Sequence, residues 1–152
     1  MMKTLEDTKI DVKLKISALW VTVMFLFAYG DIFGFFRTGF IEEVISGKIA
    51  GNQINQVFLM GISIYIAIPS LMIFLSLVLK PRLNRWANIS LGIIYSATIL
   101  LFCIGEAWAN YIFLSILESV LLLMVVWYAW TWPGQAGATS ITEQKNTKKY
   151  RT

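Results

Sequence analysis

The sequence predicts an all-α membrane protein, an antiparallel four-transmembrane-helix bundle with N and C termini cytoplasmic, and three observations carry that prediction. Four apolar runs each approach the roughly 20 residues needed to cross a hydrocarbon core about 30 Å thick. Lys and Arg divide eleven to two between the two sides that these runs define, and the tryptophans gather near the run ends. Composition agrees: 57% of the 152 residues are hydrophobic and 14% charged, against about 45–50% and about 25% in soluble domains. Lipid is the natural solvent for such a chain, and one helical bundle uses most of its length.

A lysine-bearing cytoplasmic tail, residues 1–15, leads into the transmembrane domain, residues 16–132. The first span covers 16–36 and carries only Asp31 as a charge. It reads as a start-transfer helix, because its apolar run is too long for a cleaved signal peptide and Ala28-Tyr29-Gly30 is a weak processing site. The second span, 57–79, ends at Lys80-Pro81-Arg82, where proline stops a helix and cations suit its carboxyl end. The third, 86–104, and the fourth, 111–132, are joined by so short a stretch that they form an antiparallel hairpin. The outer loop, 37–56, places Phe40, Ile41, Val44 and Ile45 at helical spacing opposite Glu42 and Glu43, as a short amphipathic surface helix would. Residues 133–152 are polar, end in a basic cluster, and are expected to be a disordered cytoplasmic tail in touch with anionic membrane lipids.

Orientation follows from the cations, since Lys and Arg in short loops resist translocation. Lys3, Lys9, Lys13, Lys15, Lys80, Arg82, Arg85, Lys145, Lys148, Lys149 and Arg151 share one side, and Arg37 and Lys48 the other. Both termini are therefore expected in the cytoplasm, with the plasma membrane as the location. Tryptophan prefers the headgroup level, where its ring is apolar and its N–H stays wet. Trp20, Trp86, Trp127, Trp130 and Trp132 fit the inner interface on this reading, and Trp108 the outer one.

Several chemistries drop out. The chain has no histidine, so imidazole bases, haem ligation and most zinc arrangements are absent, and neither a cofactor nor a metal is expected. Its single cysteine, Cys103, lies in an apolar run as a packing residue and forms no intrachain disulfide. The net charge of +4 resides beside the spans rather than on an aromatic-interleaved surface, which favours membrane topology over nucleic acid.

An ionisable residue inside a span is costly, about 2.5–3.5 kcal/mol for Asp at a helix centre on insertion scales. Asp31 and Glu118 are the two such acids, at depths of about 7 and 10 Å below the outer boundary at roughly 1.5 Å per residue. At those depths they can meet and share one proton, since no cation lies level with them. Two simpler readings stand beside this: a helix that ends at Gly30 so that Asp31 caps the next turn, and a protonated Glu118 that bonds two helices together. Tyr111 and Ser115 share the face of Glu118, which turns from polar to apolar moving inward. Glu106 stands at the outer mouth, in reach of water. Pro69 frees a backbone carbonyl one turn earlier, near Tyr65, with Ser70 at hand to fill the gap. Tyr95, Ser96 and Thr98 offer further hydroxyls near mid-span. Asn84 and Asn88 suit the capping of the third helix at its inner end, where Arg85 can snorkel or meet a lipid phosphate.

Several phrases together resemble a family of small bacterial four-span proteins of unknown function: Ser17-Ala18-Leu19-Trp20, Tyr29-Gly30-Asp31-Ile32, Pro69-Ser70-Leu71-Met72 with Leu75-Ser76, Asn84-Arg85-Trp86-Ala87-Asn88, and Glu118 followed by Tyr128-Ala129-Trp130. The resemblance runs from the first span to Pro133 and implies a prokaryotic plasma membrane and the same architecture. It brings no substrate or site residues. Small multidrug transporters fit poorly, because their glutamate sits mid-way along the first helix. Sterol-isomerase-like bundles also use intramembrane acids, but no extended motif matches.

The leading expectation is a non-enzymatic protein that binds, and in one version transports, a small amphipathic or cationic ligand through a pocket with Asp31, Glu118, Tyr65, Tyr95 and Glu106. Carboxylate acid/base chemistry on a lipid-soluble substrate is the enzymatic alternative. An accessory subunit of a membrane complex is the third reading, and the sequence leaves homo-oligomer formation open.

Overall fold

The computed structural model describes residues 9–132. Its elements are α1 (Val12–Gly34), α2 (Phe40–Ile45), β1 (Lys48–Ile49), β2 (Asn52–Gln53), α3 (Gln56–Val78), α4 (Pro81–Phe102) and α5 (Ala109–Trp130). Four of the helices are long and apolar enough to cross a membrane. They form the expected all-α four-helix bundle. The polar tail expected over 133–152, like residues 1–8, lies outside the described residues.

Helix ends differ from apolar-run ends for identifiable reasons. The α1 helix starts at Val12 rather than 16 because the Asp11 carboxylate accepts from the Lys13 N–H and caps the first turn. The α4 helix starts at Pro81, five residues before its apolar run, because proline at the first helical position supplies a helical φ and loses no needed N–H. Its cap residue, Lys80, has no side-chain capping bond. The asparagines expected as caps are therefore not caps, and both are buried. Between α4 and α5, Gly105 takes φ +86°, a left-handed conformation that costs glycine little. After α2, β1 and β2 pair antiparallel with Lys48 opposite Gln53 and Ile49 opposite Asn52. Hydrophobic periodicity does not signal so short a hairpin.

Around the bundle, α1 packs against α3 and α5, and α5 packs most closely on α4, while α3 and α4 touch at only a few points. Lys13 at the start of α1 bonds to carbonyls of Leu77 and Leu79 at the end of α3, and Lys15 lies over the Tyr128 ring near the end of α5. The long helices are thus antiparallel in sequence order. One end of the bundle carries the lysines, and the other carries α2 and the hairpin, here termed the loop end.

The outside of the bundle is apolar and its interior mixes apolar with polar side chains. Phe74, Leu101, Phe113 and Leu123 point outward, whereas Ser17, Ser76, Asn84, Asn88, Ser96, Ser115, Glu118 and Ser119 are buried. Hydrocarbon outside the bundle gives apolar side chains little reason to turn inward, so small and hydrogen-bonding residues share the helix contacts with Ile16, Val23, Leu122 and Val125. Trp20 joins them: it is 0% exposed, so it departs from the interfacial position expected for it.

Gly92 sets the closeness of α4 to α5. A Cβ at that position would lie 2.7 Å from Val126 Cγ2 and 3.2 Å from the Leu122 carbonyl oxygen. Gly92→Ala is expected to destabilise the bundle by about 1–3 kcal/mol through overpacking. Thermal unfolding in detergent measures this, and Val126→Ala in the same chain should recover part of the loss; an unchanged midpoint in Gly92→Ala would show that the two helices can separate freely.

Candidate functional site

Asp31 lies inside α1, which continues to Gly34, so the expected helix end at Gly30 is not observed. On α5 the inward face presents Ser115, Glu118, Ser119 and Leu122, all buried. Antiparallel packing brings Asp31 and Glu118 to one cavity of about 180 Å³ in the loop-end half of the bundle. Tyr65, Tyr111, Ser115 and Phe27 line it with them, and Ile62, Ile66, Ile99, Phe102 and Leu114 complete the walls. Glu118 is 6% exposed. Among the described lining residues there is no Lys or Arg, and neither carboxylate draws a hydrogen bond from the described protein.

The wall of this cavity is fixed by a proline. Pro69, buried in α3, has no N–H for the Tyr65 carbonyl one turn earlier. Ser70 does not fill the gap, since its hydroxyl bonds to the Ile66 carbonyl. Instead the Tyr95 hydroxyl, from α4, donates to the Tyr65 carbonyl oxygen at 2.6 Å. The two tyrosine rings lie 4.6 Å apart, and Phe27 stacks on Tyr65 at 6.5 Å. Tyr95 therefore serves the cavity by holding Tyr65 and does not line it. Ser96 is buried but likewise outside the lining, and Thr98 bonds back to the Ile94 carbonyl.

Toward the lysine-rich end the interior is also polar, but there it is paired. Trp20 and Tyr95 meet in a T-shaped pair with centroids 6.3 Å apart. The Trp20 indole N–H donates to Asn88 Oδ1 at 2.7 Å, which also accepts from the Ser76 hydroxyl at 3.3 Å. Asn88 Nδ2 donates to the Asn84 side-chain oxygen at 2.6 Å, and Asn84 Nδ2 donates to the Ser76 carbonyl. Residues 84 and 88 fall one helical turn apart on the buried face of α4, which makes this chain of bonds geometrically natural. Composition makes the asparagines look like caps, and only the partner helices show their role.

Glu106 does not line the acidic cavity. It ties the end of α1 to the α4–α5 turn: Arg37 Nη1 lies 3.1 Å from Glu106 Oε2, and Glu106 Oε1 accepts from the N–H groups of Ala107 at 2.9 Å and Trp108 at 3.0 Å. The Arg37 guanidinium also faces the rings of Trp108 and Tyr111, at 5.4 and 5.0 Å, so it braces a tyrosine of the cavity from behind. Burial pushes the Glu106 carboxyl up, but the Trp108 amide, the guanidinium and the Ala107 amide outweigh it and hold the group below its ordinary value of 4.5.

These features define a class: a bundle with four membrane-length helices, a hydrogen-bonded polar core in one half and an acidic, aromatic-walled cavity in the other. The chain belongs to a family of unknown function, DUF6326, whose model matches residues 2–144. Comparison with curated proteins and with solved structures found no match. Among the described residues no group of three or more side chains is placed to hold a metal ion.

Two expectations follow. Tyr95→Phe leaves the Tyr65 carbonyl unpaired at the cost of a buried acceptor, about 1–3 kcal/mol. Pro69→Ala restores a helical donor, so adding it to Tyr95→Phe should return much of the lost thermal stability; additive losses in the double variant would refute the link. The Glu106 pairing contributes stability above the ordinary carboxylate value and loses it as pH falls through the lowered one. Wild-type protein should therefore lose more thermal stability than Glu106→Gln between about pH 5 and about pH 3, as followed by intrinsic tryptophan fluorescence.

Proposed function

We propose that this chain is a multi-pass protein of a prokaryotic plasma membrane, with both termini cytoplasmic, that binds a small cation-headed amphipathic ligand in the acidic cavity on the outer side. One observation carries the reading: two carboxylates converge on an aromatic-walled cavity with no cation among its described lining residues. Carboxylates placed within a bilayer are costly unless paired, and a ligand cation supplies the partner. The rings of Tyr65, Tyr111 and Phe27 add attraction for an alkylammonium through their π faces.

Size narrows the class. A cavity of about 150 Å³ accommodates benzene, whereas drug-sized ligands occupy about 300–1,000 Å³. At about 180 Å³ the cavity takes an ammonium headgroup and leaves an attached chain outside. The same dimension weighs against acid/base catalysis on a lipid ring or chain, because the body of such a substrate does not fit beside both acids.

Tetramethylammonium is the direct probe, with sodium chloride at equal ionic strength as the control. At about ten times Kd, binding to the folded state gives about 1.4 kcal/mol, a rise of roughly 3–5 °C in the unfolding midpoint for a chain of this size. The rise should vanish in the Asp31→Asn, Glu118→Gln double variant. No selective rise in the wild type, or the same rise in the double variant, would refute the proposal.

A further inference from the structure

At the lysine-rich end a second cavity of about 560 Å³ opens between the start of α1, the α3–α4 turn and the end of α5. Lys9, Lys13 and Lys15 line it, and among the described lining residues Asp11 is the single acid. Lys13 is already engaged, its Nζ donating to the Leu77 and Leu79 carbonyls at 3.0 and 2.9 Å. Asp11 is turned to the Lys13 backbone N–H at 2.7 Å. Lys15 Nζ sits 5.5 Å from the centroid of the Tyr128 ring, a position that steadies the ammonium while leaving its N–H groups able to donate. Lys9 is exposed. The start of α1 adds the positive end of a helix dipole. The opposing end of α5 is partly quenched, because the Thr131 N–H and hydroxyl both donate to the Trp127 carbonyl, at 2.9 and 2.8 Å.

Cations alone at this level are a topology signal; the shape of their surroundings adds a ligand class. Ile10, Val12 and Pro81 form an apolar rim, and Trp132 stands beside it. Ile10 in that rim is itself exposed, so the apolar side of the cavity opens outward. A soluble anion gains nothing from such a rim, whereas a glycerophospholipid has a phosphate for the lysines and a glycerol and acyl root for the rim.

We infer that this cavity binds the phosphodiester of an anionic phospholipid, held between Lys9 and Lys15, with its glycerol end against Ile10, Val12 and Trp132. The site is separate from the acidic cavity and stands or falls independently of it. Zwitterionic lipid is the poorer ligand, because its ammonium group meets lysines instead of acids.

The full chain in phosphatidylcholine nanodiscs provides the test, with phosphatidylglycerol as the probe lipid, inorganic phosphate as the soluble comparison, and lipid retention by native mass spectrometry alongside thermal unfolding. Phosphatidylglycerol should be retained and should raise the midpoint, while phosphate alone should not. The Lys9→Gln, Lys15→Gln double variant should retain the lipid about 25-fold less well, from roughly 1 kcal/mol per cation at about tenfold per 1.4 kcal/mol. Lys80→Gln, Arg82→Gln removes two cations from the same end but outside the cavity, and should change retention far less. An equal loss in that variant would reduce the effect to diffuse surface charge and overturn the site, and equal stabilisation by inorganic phosphate would overturn the lipid assignment. If the cavity double variant fails to fold, Lys9→Gln alone replaces it, with about a fivefold loss expected and no loss refuting the site.

Discussion

The carbonyl of Tyr65 has no helical donor, because Pro69 stands where the donor would be, and a hydrocarbon environment offers no water to replace it. The Tyr95 hydroxyl meets that need from the neighbouring helix. Since α3 and α4 touch at only a few points, the bond does more than satisfy one acceptor: with the Ser76 bonds to Asn84 and Asn88 it joins the two helices. Tyr95 is braced in turn by a T-shaped contact with Trp20, and Trp20 by Asn88, so α1, α3 and α4 meet around a single backbone defect.

From that point the bundle differs in its two halves. Toward the lysine-rich end, Trp20, Ser76, Asn84 and Asn88 are buried with their main polar groups paired to one another. Such a network rigidifies a membrane bundle, and an indole N–H, which donates only, is a poor relay for protons. Toward the loop end, the polar groups face a cavity and two of them are acids. Paired amides, and carboxylates without a hydrogen-bond partner among the described residues, have different physical meanings. The amides are accounted for by the fold, whereas the acids face a cavity whose described lining residues include no cation.

Arg37 shows how the rim of that cavity is kept in shape. Its guanidinium bonds to Glu106 and lies against Trp108 and Tyr111, which joins the end of α1 to the turn before α5 through one side chain. Glu106 is thus a brace for the mouth, and the acid that looks most accessible in the sequence is the one already paired.

Much of the architecture was legible in the chain itself, because apolar run length and the spacing of Asp31 and Glu118 from the run ends are one-dimensional quantities. Those alone determine four membrane-length helices and put both acids in the same half of an antiparallel bundle. What the chain could not express is which helix faces which. Asn84 and Asn88 read as caps because asparagine near a helix start usually caps; Trp20 reads as interfacial because tryptophan usually is. Only packing reveals that they bond to each other in the interior. The proline defect was visible at Pro69, but the hydroxyl that pairs the freed Tyr65 carbonyl lies thirty residues from that carbonyl on another helix. A hydrogen bond depends on distances of about 3 Å in space, and only the tertiary structure decides those.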